Sequence, residues 1–329
     1  YLGYGTPRRL RLLGRVLKAK RMAPASAGDR RWRNLVRFYR HLRSDEVPGA
    51  RLRMRCGKVL AEARADREGY FDVELGVAAA KPGWQRVALE LLREPAVRAS
   101  ARVLVPRPEA AFGVISDIDD TVVRSNATSK LRMIVALALA NAHTRKPFAG
   151  AAAFYRALHR GVNPLFYVSK SPWNLYLPLL EYLRLQGFPR GPLLLRDYGL
   201  RMRRDHKRAE IEAILDTYPR LPFVLIGDSG ERDPEIYAAI VHRYPERVRA
   251  IYIRCVSRDA RRLAALDRLA REVAASGCQL VIAPDSAFAA MHAAAEGLIQ
   301  PSALPAIRAE RCADETSRSN AAASSGVLK

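Results

Sequence analysis

The sequence is poor in cysteine, in lysine and in long apolar runs, and each shortage removes a class of protein. Its four cysteines (Cys56, Cys255, Cys278, Cys312) are scattered, with no CxxC pair and no histidine at zinc-finger spacing. That pattern argues against a zinc site or a disulfide framework and fits a reducing compartment. No run approaches the ~18 apolar residues that a membrane span needs. The longest candidate, Met133 to Ala140, lies between Arg132 and Arg145. No signal-peptide pattern follows Tyr1, so the expected location is cytoplasmic, at most peripheral at the inner membrane face. A hydrophobic content of 49% with 8% aromatics excludes wholesale disorder.

Lysine supplies only nine of the 56 basic residues; arginine supplies the rest, and the net charge is +23. Its distribution is uneven. Residues 1–58 hold 17 basic and three acidic residues, so they carry +14, and the remaining 271 residues carry +9. A local concentration of this size is expected to meet an anionic partner: a membrane surface, nucleic acid or an acidic protein. Within it, Trp32, Leu35, Val36 and Tyr39 recur at i, i+3, i+4 and i+7, which predicts an amphipathic helix with a basic opposite face. Residues 1–47 are therefore read as a basic helical segment.

After Pro48-Gly49 the period changes to two. Arg51 to Cys56 alternates strictly, and turn signals at Gly57-Lys58 and Asp66 to Gly69 separate it from further short runs up to Val105. This predicts a small antiparallel β-sandwich over 48–108. From Phe112 onward, continuous apolar runs end at Ile115, Val168, Leu195, Ile226, Ile253 and Ile282, with helical stretches between most of them. Such a grammar belongs to an α/β domain, here 109–307, with a doubly wound parallel sheet covered on both faces. The polar stretch 308–329 reads as a disordered tail.

The unusual residues stand at the carboxyl ends of these strands, where ligands of open α/β sheets bind. The first strand ends in Ser116-Asp117-Ile118-Asp119-Asp120-Thr121, with three carboxylates in four positions. Negative charge packed so closely needs a cation or a proton. The second strand ends in Ser169-Lys170-Ser171, Lys207 opens a later helix, and the fourth strand runs into Gly227-Asp228-Ser229-Gly230-Glu231-Arg232-Asp233. The order DxDxT, strand-Ser, Lys and GDxxxxD resembles the haloacid dehalogenase-type (HAD-like) phosphatases.

The wider wording is similar to the App1-type phosphatidate phosphatase family, whose catalytic domain is related to lipins. It rests on Ser116 to Val122, Tyr167 to Tyr176, Ile226 to Tyr237, Thr144 to Phe148 and Gly191 to Asp197. The resemblance implies that Asp117 is the nucleophile forming an aspartyl-phosphate and that Asp119 is the general acid and base. It implies Mg²⁺ held by Asp117, the Asp119 main-chain carbonyl and Asp228. Ser169 and Lys207 would bind the transferring phosphate, with Asp233 supporting the acidic cluster. It implies phosphatidate as substrate, with a nucleic-acid end or a phosphoprotein as the alternative and a non-catalytic adaptor as the remaining rival.

Lys170 departs from the family pattern, where a small or polar residue is expected. Glu231 and Arg232 are open between substrate contact and loop structure. Ser171, Asp205 and His206 are open between helix capping and a share in the site. Asp117 to Ser169 spans 52 positions and Ser169 to Lys207 spans 38, so neither interval holds more than a minimal cap. A helical excursion over Ser129 to Ala142 is the most that fits.

Overall fold

The computed structural model describes residues 1–18, 46–118, 149–196, 205–256 and 259–314. The predicted helix around Trp32 to Tyr39, the excursion over Ser129 to Ala142, and residues Asp119 to Thr121 lie outside the described residues.

The N-terminal part is a single seven-stranded sheet of order β4-β3-β6-β7-β1-β2-β5. Its strands are β1 (Leu2–Gly5), β2 (Arg9–Arg15), β3 (Arg51–Cys56), β4 (Val59–Arg64), β5 (Tyr70–Gly76), β6 (Gly83–Leu91) and β7 (Val97–Val105). The alternation in β3 does what its period requires: Leu52 and Met54 are buried, and the arginines between them are not.

Two expectations change here. Residues 2–15 form strands, not part of a basic helical segment, because Leu10 and Leu12 alternate with Arg9 and Arg11 and are fully buried. The ladder is also continuous, and it includes one parallel pair, β1 with β7, so it is one mixed sheet. Edge strands β4 and β5 are joined by residues 65–69 alone. That connection reaches ~20 Å, whereas a flat sheet of this width would hold its edges ~29 Å apart. The sheet therefore curls on itself and encloses Leu10, Leu12, Met54, Val87 and Val103. Part of the N-terminal positive charge is met within this sheet, by Arg11–Asp72 at 2.8 Å, Arg53–Glu62 at 3.0 Å and Arg15–Glu46 at 2.8 Å.

The second part is a six-stranded sheet of order β10-β9-β8-β11-β12-β13, with every neighbouring pair parallel. It contains β8 (Gly113–Asp117), β9 (Leu165–Pro172), β10 (Leu193–Arg196), β11 (Phe223–Asp228), β12 (Val248–Arg254) and β13 (Gln279–Ala283). The helices are α1 (Ala151–His159), α2 (Tyr176–Leu185), α3 (His206–Thr217), α4 (Asp233–Arg243), α5 (Ala260–Ala275) and α6 (Ser286–Ala295). Successive strand residues feed two different cores, as the strand period of two demands. Val114 and Tyr167 pack with α1, α2 and α6, while Ile115, Phe166 and Val168 pack with α3, α4 and α5. This is the doubly wound arrangement expected. The predicted tail is corrected in its first residues: 304–314 are helical, with Arg311 paired to Asp285 at 2.7 Å and Glu310 paired to Arg156.

β1 links the two parts. The Leu2 amide donates to the Tyr176 hydroxyl at 2.6 Å, and the Tyr218 hydroxyl donates to the Gly5 carbonyl at 3.1 Å. Tyr1 stacks on Trp173, and the Arg15 guanidinium donates to Asn174 Oδ1 at 2.9 Å. These contacts brace residues 173–176, which directly follow the strand that carries Ser169.

Candidate active site

Chain order runs outward from β8 through β9 to β10 on one side, and from β11 through β12 to β13 on the other. The crevice at this reversal, beyond the carboxyl ends of β8 and β11, is where such sheets bind ligands. Asp117 ends β8, Ser169 lies in β9, and Asp228 ends β11. All three are fully buried.

Lys207, the second residue of α3, reaches into the same crevice and is 2% exposed. Its ammonium donates to Asp117 Oδ1 at 2.7 Å, to Asp233 Oδ1 at 2.5 Å and, more distantly, to Glu231 Oε2 at 3.4 Å. Burial alone would push this lysine down. The surrounding carboxylates of Asp117, Asp233 and Glu231 outweigh that cost and hold it well above its ordinary value, so it stays charged.

Asp233 opens α4, where a carboxylate is favoured by the helix N-terminus. Its second oxygen faces the Asp228 amide at 3.4 Å. The approach to β11 is so close that a Cβ on Gly227 would lie 2.6 Å from Asp233 Oδ2. Only glycine leaves room for that carboxylate.

The loop after β11 folds around Asp228. Asp228 Oδ1 accepts from the amides of Gly230 at 2.6 Å and Glu231 at 3.1 Å. Its Oδ2 is buried and has no hydrogen-bond partner among the described residues. Burial, and then the charge of Asp233, push the Asp228 carboxyl up to about 7. Glu231 experiences the reverse balance. Burial would raise it, but Lys207 and then Lys170, whose ammonium is 2.8 Å away, hold it below the usual carboxylate range. Arg262 of α5 fastens the loop from outside, donating to the Ser229 carbonyl at 2.9 Å and the Glu231 carbonyl at 2.7 Å while pairing with Glu235.

Beneath the Asp117 side chain, the Ser116 hydroxyl is 2.6 Å from both the Asp117 carbonyl and the Tyr155 hydroxyl of α1. Ser169 Oγ accepts from the Ser171 amide at 2.9 Å, which orders the carboxyl-terminal end of β9.

The donors present fit a hard divalent cation, since every candidate ligand is a carboxylate or carbonyl oxygen. Asp117, Glu231 and Asp233 can bring oxygens within 4.8 Å of one another. Lys207 already bonds all three, so in this arrangement the ammonium meets their charge. Asp228 Oδ2 is a buried acceptor without a hydrogen bond among the described residues, and a cation beside it would satisfy it.

The structure thus brings Asp117, Lys207 and Asp233 into direct contact and places Ser169 and Asp228 on β9 and β11, the two strands that flank β8. Asp119 is outside the described residues. Asp205 stands at the N-cap of α3 but makes no side-chain cap bond, and His206 is 3.9 Å from Glu210. Pro172 precedes the short turn that leads to α2, so Ser171 is not its cap. Three residues were not singled out from the sequence for the parts they play: Arg262, Tyr155 and Ser116. Arg262 and Tyr155 are remote in sequence from the motifs they hold. Ser116 carried a signal, its place directly before the first aspartate.

Residues 112–255 match the family described as "Phosphatidate phosphatase APP1, catalytic domain". Phosphatidate phosphatase APP1 of Saccharomyces cerevisiae is 33% identical over 154 residues, which are 44% of this chain and 26% of the yeast protein. An uncharacterized protein of Schizosaccharomyces pombe is 28% identical over 155 residues, 45% of this chain and 26% of its own length. The chain therefore spans about a quarter of the length of the curated relatives it matches. Among solved structures, a carbohydrate acetylesterase of Xanthomonas citri shares 14% identity. It covers 76% of this chain and 66% of its own at a TM-score of 0.28, too low to carry an argument. Asp117, Ser169, Lys207, Asp228, Glu231 and Asp233 all fall inside the matched segment, Arg262 lies beyond it, and through residues 112–255 the chain is similar to the App1-type catalytic domain.

Proposed function

We propose that the chain is a Mg²⁺-dependent, HAD-like phosphatase that hydrolyses phosphatidate to diacylglycerol through an aspartyl-phosphate. The observation that carries this reading is the buried Asp117–Lys207 contact of 2.7 Å at the end of the central strand, within the segment similar to a phosphatidate phosphatase.

The Asp117 carboxylate attacks phosphorus, and the bond from phosphorus to the glycerol oxygen breaks. Asp119 gives its proton to the leaving alkoxide. Water then attacks the acyl-phosphate, Asp119 takes the water's proton, and inorganic phosphate leaves. Lys207 and Ser169 bind the phosphoryl oxygens, and Lys207 also holds Asp117 in line. Mg²⁺ held by Asp117, the Asp119 carbonyl and Asp228 would supply further charge neutralisation on those oxygens. Asp233 fixes Lys207 from the opposite side. The basic N-terminal region would hold the chain on an anionic leaflet, the source of its substrate.

The test is Mg²⁺-dependent phosphate release from phosphatidate in mixed micelles, from 5′- and 3′-phosphorylated oligonucleotides and from an aryl phosphate. Release from phosphatidate supports the reading. Release from oligonucleotides alone removes the lipid substrate, and release from none removes the enzyme.

A further inference from the structure

A cavity of about 180 Å³ adjoins Lys207, between the ends of β9 and β10 and the first turns of α3 and α4. Its wall carries Lys170, Arg196, Lys207, Arg208 and Arg232, together with His206. Among the described residues two acids share the wall, Asp205 and Glu235, and Glu235 is already engaged by Arg262. Lys207 is committed to the aspartates of the centre and Lys170 to Glu231. Arg208 shares Glu212 with Arg243, at 2.9 and 3.4 Å. The Arg232 carbonyl accepts from the Ile236 amide, but its guanidinium makes no hydrogen bond or ion pair among the described residues and only adds to the charge that holds Glu235 low. Asp117, Ser169 and Asp228 do not line this cavity. Positive charge therefore exceeds negative in a recess beside the reacting carboxylates but separate from them.

Its volume is below the ~300 Å³ at which pockets begin to enclose a whole small molecule. A recess of this size takes a charged group. Paired arginines match the oxygens of a phosphate through directed N–H donors. Lys170 adds a cation where the family resemblance implies a small or polar residue.

We propose that this cavity is a second anion site, which holds a phosphate group that is not transferred. The proposal rests on the reading that transfer occurs at Asp117. The phosphate could be carried by a neighbouring lipid headgroup or be free inorganic phosphate. The recognition chemistry is the same for both.

Equilibrium dialysis of inorganic phosphate with the full chain and Mg²⁺ tests it. Two bound phosphates per chain are expected. The double variant R208A/R232A is expected to weaken one of them by about tenfold or more, the scale of losing charged hydrogen bonds. Asp228→Asn is expected to weaken the other. If R208A/R232A binds phosphate as the parent does, the second site is overturned, and an effect of Asp228→Asn in the same experiment leaves the transfer reading standing. If only R208A/R232A has an effect, the second site stands and the transfer reading fails. The single variant Arg232→Gln, at an exposed position, repeats the test should the double variant fold poorly. Binding to phosphatidylcholine vesicles with and without phosphatidate separates the sources. A loss in R208A/R232A confined to phosphatidate vesicles assigns the headgroup, and unchanged vesicle binding with weakened dialysis assigns free phosphate. Unchanged binding in both overturns the site.

Discussion

The ammonium of Lys207 sits 2.7 Å from Asp117 and 2.5 Å from Asp233, with all three side chains buried. One cation thus joins the end of β8 to the start of α4, and it neutralises carboxylates that would otherwise repel one another. Removing it leaves buried charge uncompensated.

Lys207→Met is therefore expected to lower stability by about 3–5 kcal/mol, the cost of breaking a buried pair from one side. Urea unfolding measures this. Added Mg²⁺ should recover part of the loss in the variant, because a divalent cation can take over the neutralisation of Asp117 and Asp233. A loss below ~1 kcal/mol, the range of exposed pairs, would show that the contact is not buried in solution.

Asp228 sets a pH dependence in the metal-free protein. Its folded carboxyl titrates at about 7 and its unfolded one near the ordinary 3.8, so the folded state binds more protons between those values. Stability then falls as pH rises from about 4 to about 7, by a few kcal/mol at most. Melting temperature against pH in EDTA should show this decline in the parent and a flatter curve in Asp228→Asn. Parallel curves would contradict the assignment.

Gly227 is needed for space. In Gly227→Ala the new methyl group would meet Asp233 Oδ2 at 2.6 Å, so the carboxylate must move and carry Lys207 with it. Overpacking of this kind costs about 1–3 kcal/mol. Phosphatase activity should fall more steeply than stability, which thermal unfolding and turnover measured together would show. A variant with full turnover would mean that Asp233 is free to shift without consequence.

Arg262 acts through the loop it fastens. Arg262→Ala frees the carbonyls of Ser229 and Glu231 and is expected to weaken Mg²⁺ activation about 10- to 100-fold, as loss of outer-sphere support does. Arg262→Lys should recover little, since an ammonium cannot bridge two carbonyls and Glu235 at once. A Mg²⁺ titration of turnover gives the answer, and an unchanged midpoint would remove Arg262 from the account.

Much of this site was readable in the sequence because its residues stand at strand ends, where a break in an apolar run marks the chemistry. Asp117, Ser169 and Asp228 follow Ile115, Val168 and Ile226 in this way. Lys207 and Asp233 came from their order and spacing. What could not be read is the set of contacts made across the fold. Glu231 is three residues from Asp228, yet its bond to Lys170 depends on the distance between two strand ends. Arg262 and Tyr155 act from helices whose sequences carry no motif. The N-terminal strands were missed for another reason. The basic residues of β2 mask a period of two, since Arg9 and Arg11 stand between and beside the buried Leu10 and Leu12.

The proposed reaction phosphorylates Asp117 during turnover. Rapid quenching of the chain with ³²P-phosphatidate and Mg²⁺ tests it most directly. The account predicts a labelled protein that is stable in acid, released by hydroxylamine and absent in Asp117→Asn, which also shows no turnover. Turnover that survives Asp117→Asn, or label that persists in that variant, would contradict it.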